Sequence, residues 1–170
     1  MQAMRTEMAA SLQPFERVAY NRYFDQSAVY PGHFATDWNR SYELRPTGAV
    51  RGAAVLLHGL TDSPYSLRHL GKHLRQQGFV VIAIRMPGHG TVPAGLTDAD
   101  WEDWMAATRL AVREATAQLP EGAPLLMVGF SNGGALAMKY SLDALDDPRL
   151  AMPRQLVLIS PMIGVTRYAQ

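Results

Sequence analysis

Apolar residues follow two rhythms along this chain. Unbroken apolar runs close residues 50–57 and 79–84 and fill 124–128 and 156–159, each bounded by Gly, Pro or polar residues. Runs of that length without alternation read as strands covered on both faces. Between them the spacing changes to three and four. Leu67, Leu70 and Leu74 form one helical stripe, which Gly78 closes. Trp101, Trp104, Met105, Thr108, Ala111, Val112, Ala115 and Leu119 form another, on a helix expected over 101–119 with Asp100 as its cap. Ser63 followed by Pro64 reads as an N-cap and first helical position. Residues 40–45 read as a further strand before a turn at Pro46-Thr47-Gly48, and a helix is expected from the glycines after residue 128 to about Leu145.

Strands alternating with amphipathic helices predict βαβ units: an α/β fold with a mostly parallel sheet flanked by helices. Ligands in such sheets bind beyond the carboxyl ends of the strands. The loops at 58–63, 85–97 and 129–134 are expected there. The main domain is expected over 40–170. Residues 1–39 read as a lead-in segment packing on it, or as part of a substrate rim. In that segment Met4, Met8, Leu12 and Phe15 would line one side of a short helix interrupted by Pro14.

Composition narrows the classes. Apolar residues make up 48% of the 170, enough for a core and too many for a disordered chain. Sixteen basic and fifteen acidic residues balance to +1, so no field of one sign points to nucleic acid. With no cysteine there is no disulfide, thiol nucleophile or zinc–thiolate site. No apolar run approaches the roughly 20 residues of a membrane span. Residues 1–20 lack the apolar stretch of a secretory signal, which makes a cytoplasmic location the expectation without bearing on a leader removed ahead of Met1. No cofactor or metal is implied.

The chemistry concentrates in Gly129-Phe130-Ser131-Asn132-Gly133-Gly134, between a strand and a helix. In that context Gly-x-Ser-x-Gly reads as a nucleophile elbow. The turn is sharp and strained, and side chains at 129 and 133 would collide with it. The Ser131 hydroxyl would stand over a helix N-terminus, whose free N–H groups favour an oxyanion. Read as a phosphate cradle instead, the stretch lacks both the Gly-x-Gly-x-x-Gly spacing and a Gly-Lys-Ser/Thr ending.

With Ser131 on its turn and His58-Gly59 two strand–helix units earlier, the chain resembles the α/β-hydrolase superfamily. Within that superfamily it is similar to the carboxylesterase and monoacylglycerol-lipase type. Leu56-Leu57-His58-Gly59-Leu60-Thr61-Asp62-Ser63-Pro64-Tyr65-Ser66 is similar to that group's oxyanion segment, and Arg85-Met86-Pro87-Gly88-His89-Gly90 to its Pro-Gly-His-Gly loop. The resemblance spans about 40–163. It implies Ser131 as the nucleophile that accepts an acyl group. It implies the backbone N–H groups of Leu60 and Asn132 as the oxyanion hole. Gly129, Gly133, His58 and Gly59 would support elbow and loop, and His89 would brace its own loop. The implied substrate is a small-molecule or lipid-like carboxylic ester.

A serine needs a base, and the base an orienting acid, in the chain order Ser, Asp or Glu, His. No histidine follows Ser131. Asp143 sits about 18 Å further along the helix, and Asp146 and Asp147 lie beyond it. The resemblance therefore implies the N-terminal part of an α/β-hydrolase domain. The strands bearing acid and histidine are expected outside these 170 residues, on a longer chain or a companion C-terminal fragment, and the chain alone is expected to be inactive. The alternative is a non-catalytic α/β-hydrolase-like domain that binds a ligand or partner.

Overall fold

The computed structural model describes residue 7 and residues 9–90 and 93–164. Met4, Met8 and Thr91, which the sequence reading placed in the lead-in helix and a loop, lie outside them. Contacts divide the chain into two compact units, residues 1–39 and 40–170. The first has short 3-10 turns at Pro14–Glu16 and Pro31–His33. Its Ser27 is fully buried, with its hydroxyl donating to the Ala19 carbonyl at 2.8 Å.

The second unit carries β1 (Tyr42–Leu44), β2 (Gly52–Leu57), α1 (Arg68–Gln76), β3 (Phe79–Ile84), α2 (Trp101–Thr116), β4 (Leu125–Phe130), α3 (Asn132–Asp146) and β5 (Gln155–Ile159). One sheet has the order β1-β3-β2-β4-β5; β1 runs antiparallel to β3, and every other pair is parallel. The expected α/β fold with a mostly parallel, helix-flanked sheet is what forms. All six residues of β2, the central strand, are buried, as a continuous apolar run requires.

Successive strand residues face opposite sides and build two apolar layers. Val55, Leu57, Val80, Ile82 and Met127 meet Met105, Val112, Leu136 and Tyr140 of α2 and α3. Leu56, Val81 and Val128 lie on the other side, with Leu67, Leu70 and Leu74 at α1. From β2 the chain steps to β3 over one face, then crosses back to β4 over the other. The order of the sheet therefore reverses between β2 and β4, and at such a point open α/β sheets bind ligands, beyond the strands' carboxyl ends. Register levels those ends: Leu57 pairs with Ile84 and with Gly129, and Phe130 with Ile159.

Local readings shift in four places. Residues 64–67 form a 3-10 turn, and Ser63 makes no side-chain cap hydrogen bond, so α1 begins only at Arg68. The second helix stops at Thr116 rather than Leu119, and Trp101, placed on its apolar face, is half exposed at its first turn. Strand β4 continues through Gly129 and Phe130, since both pair with β5. Helix α3 starts at Asn132, which compresses the strand-to-helix turn to Ser131 alone. Among the described residues no helix is long and apolar enough to cross a membrane.

Candidate active site

Ser131 is the single residue between β4 and α3, with φ 52° and ψ −116°. An L-residue adopts that conformation only where its surroundings over-determine it. The surroundings here are backbone. The Ser131 amide donates to the Ile159 carbonyl at 3.0 Å. Its own carbonyl accepts from the amides of Gly134 at 2.9 Å and Met162 at 3.0 Å. A Cβ on Gly129 would lie 2.3 Å from the Gly133 carbonyl oxygen, and one on Gly133 would lie 2.1 Å from that of Leu57. Neither position has room for a side chain, so the two glycines are what let α3 seat directly on the ends of β2 and β4.

The segment after β2 is brought against this turn. A Cβ on Gly59 would lie 3.2 Å from the Phe130 ring and 3.5 Å from the Ser131 Cβ. The Gly59 carbonyl is turned inward, accepting from the Asp62 amide at 3.2 Å and from His58 Nδ1 at 2.9 Å. The amides of Leu60 and Asn132 donate to no other group among the described residues. Asn132 opens α3, so its N–H is one of the donors a helix leaves free at its start.

The histidines near the strand ends are committed elsewhere. His58 is 1% exposed, and its Nε2 accepts the Met86 amide at 3.1 Å. That leaves the proton on Nδ1, where it meets the Gly59 carbonyl. His58 thus pins the segment after β2 to the segment after β3. His89, also buried, hydrogen-bonds the Pro87 carbonyl through Nδ1 at 2.8 Å. Its ring stands 5.0 Å from that of His58 and edge-on to Trp104 at 5.3 Å. Trp104 Nε1–H donates to the same Pro87 carbonyl at 3.1 Å. The sequence reading counted Trp104 only as helix face; the need of an indole N–H for a partner was the signal that could have found this contact.

His69 and His73 are exposed on α1, and His33 packs edge-on to Tyr30 in the first unit. Asp143 is paired with Lys139 and with Arg109, whose hydrogen bonds hold its carboxyl below the ordinary range. Asp147 is held by Arg149. Among the described residues nothing hydrogen-bonds the Ser131 hydroxyl. Ser160 was not singled out, yet it has φ 43° at the end of β5, beside Ser131. Nothing in its residue type announces that conformation.

Residues 48–170 match the model of the serine aminopeptidase S33 family. The chain belongs to that family. Of this chain, 85 residues are 32% identical to a thermostable monoacylglycerol lipase of Bacillus sp. (strain H-257), a stretch covering 49% of this chain and 32% of that lipase. A further match is 38% identity over 52 residues to a carboxylesterase of Bacillus subtilis (strain 168), covering 31% of this chain and 21% of the esterase. A solved structure of the metagenome-derived lipolytic enzymes LipS and LipT aligns with TM-score 0.61 and 27% identity, over 73% of this chain and 46% of that one. The chain thus spans less than half the length of these relatives. Its fold is that of an α/β-hydrolase, of which it covers the N-terminal part.

Proposed function

We propose that this S33-family chain carries the nucleophile half of a serine hydrolase that cleaves carboxylic esters. The observation that carries the reading is Ser131, held at φ 52° on the β4–α3 turn with Gly59 packed against its Cβ. Its Oγ attacks the ester carbonyl carbon, and its proton passes to a base. The tetrahedral oxyanion takes hydrogen bonds from the Leu60 and Asn132 amides, each such donor lowering the barrier by about 3–4 kcal/mol. Collapse expels the alcohol, which takes up the proton, and water then hydrolyses the acyl-Ser131 ester. Base and acid come from residues outside these 170. The substrate class is a small-molecule or lipid-like ester; the lipase and esterase names of the relatives support this.

The second reading is a non-catalytic domain of the same fold that binds a ligand or partner. In that reading the Ser131 hydroxyl, which has no hydrogen-bond partner among the described residues, is never activated. A fluorophosphonate probe followed by intact mass separates the two. The hydrolase reading expects no adduct on the 170-residue chain alone. It expects a stoichiometric adduct, lost in Ser131→Ala, when the chain is part of a longer product or is joined by a companion fragment. No adduct in any of these forms would support the binding domain and overturn the hydrolase.

A further inference from the structure

A groove of about 520 Å³ opens between α2 and the segment that joins α3 to β5. Three guanidinium groups line it, those of Arg109, Arg113 and Arg149. Arg109 and Arg113 are four residues apart, so they share one face of α2, where like charges oppose each other. Arg149 comes to the same groove from the segment after α3. Among the described residues no carboxylate lines this groove. Its floor is Val112 and Tyr140, both buried, and its apolar rim is Leu110, half exposed, and Leu150.

The carboxylates stand just outside. A second basin shares Arg109, Arg149 and Leu150 with the groove and holds Asp143, Asp146, Asp147 and Lys139. From there Asp143 accepts from Arg109 Nη2 at 2.9 Å and is paired with Lys139. Asp147 accepts from Arg149 Nε at 2.9 Å and Nη2 at 2.8 Å. A guanidinium has five N–H donors, so Arg109 and Arg149 are held in place with donors to spare. Arg113 makes no side-chain hydrogen bond or ion pair among the described residues.

The arrangement selects a ligand class. A single carboxylate matches one guanidinium fork. A phosphate monoester carries a charge of about −1.5 to −2 and three acceptor oxygens, which suits three. An extended polyanion would run on over Asp143, Asp146 and Asp147 and be repelled, whereas a small anion stays clear of them.

We propose that this groove binds a small organic phosphate, its phosphate held by Arg109, Arg113 and Arg149 and its apolar body on Leu110 and Leu150. The groove lies toward the amino ends of the strands, since Arg113 is in the last turn of α2 and Arg149 precedes β5. Ser131 stands at the carboxyl end of β4, so the two sites are separate and the proposal does not rest on the ester reading.

The test is titration of the 15N-labelled intact chain with phenyl phosphate, followed through backbone amide and arginine Nε shifts. Saturating shifts are expected at Leu110, Arg113, Leu150 and Ala151, with Leu60 and Asn132 unmoved. Arg113→Gln and Arg149→Gln should each weaken binding about tenfold. Both positions are exposed, so the variants keep the fold. Lys72→Gln removes the same charge from exposed α1 surface and should leave the affinity unchanged. Inorganic phosphate should bind about tenfold more weakly than phenyl phosphate, because it lacks the apolar body. No saturation below about 10 mM overturns the proposal. So does equal weakening by Lys72→Gln and Arg113→Gln, which would reduce the effect to overall charge. Inorganic phosphate binding as tightly as phenyl phosphate also overturns it, leaving an adventitious ion only. None of these measurements uses turnover or Ser131 labelling, so failure of the hydrolase reading and failure of this site are separately visible.

Discussion

The Ser131 amide donates to the Ile159 carbonyl at 3.0 Å, joining the residue with the least favourable backbone in β4–α3 to the last residue of β5. Register makes this contact unavoidable: Phe130 pairs with Ile159, so the next residue of each strand leaves the sheet side by side. Ser131 and Ser160 both have positive φ. The strain of the turn is thus held by a neighbouring strand, far from it in sequence.

That relationship predicts a difference between two variants that both lack the hydroxyl. Ser131→Gly should be more stable than Ser131→Ala by about 1–3 kcal/mol, because only glycine accepts φ 52° without strain. Urea unfolding of the two measures it. Equal midpoints would mean that the turn is unstrained.

Gly133→Ala should cost more than about 4 kcal/mol, or prevent folding, because its Cβ would press on the Leu57 and His58 carbonyl oxygens at 2.1 and 2.7 Å. Backbone at the end of a central strand cannot give way. Gly48→Ala, with open space around it, should stay within about 0.5 kcal/mol. Thermal or urea unfolding of the pair reads the contrast, and a mild Gly133→Ala would rule out the close seating of α3.

His58→Phe should destabilise the fold by about 2–3 kcal/mol. It leaves the buried Met86 amide without its acceptor and frees the Gly59 carbonyl of one donor. Hydrogen exchange at the Met86 amide should accelerate in the variant. Unchanged protection there would remove His58 from its bracing role.

Acid should weaken the chain through Asp147. The Arg149 side chain and amide hold its carboxyl down to about 2, from an ordinary 3.8. A carboxylate whose pKa falls on folding adds stability that is present above the unfolded value and lost as pH drops through the folded one. Stability should therefore fall between pH about 4 and about 2, and Asp147→Asn should flatten that part of the profile. Asp143, lowered by Lys139 and Arg109, adds to the same slope. Urea midpoints taken across that range decide it; identical slopes for the two proteins would assign the acid sensitivity to other groups. Salt should reduce the effect, since both pairs are exposed.

What the sequence determined by itself was whatever depends on residues close together in the chain. Leu56 and Val81 lie within apolar runs, and runs that are apolar at every position make strands covered on both faces. Met105, Val112 and Ala115 repeat at helical spacing, so α2 was legible along with the face it buries. Gly129, Ser131 and Gly133 announce a turn too tight for side chains, and the glycines do pack against backbone there. The order β1-β3-β2-β4-β5 and its register were decided only by tertiary structure, because pairing is a contest between distant segments. That register carries β4 on through Phe130 and brings Gly59 and Ile159 to Ser131. The proton on His58 Nδ1, the edge-on stacking of His89 on Trp104 and the positive φ of Ser160 follow from the same assembly. A histidine's tautomer and a serine's backbone angle are set by the groups folded against them, and those groups are remote in sequence.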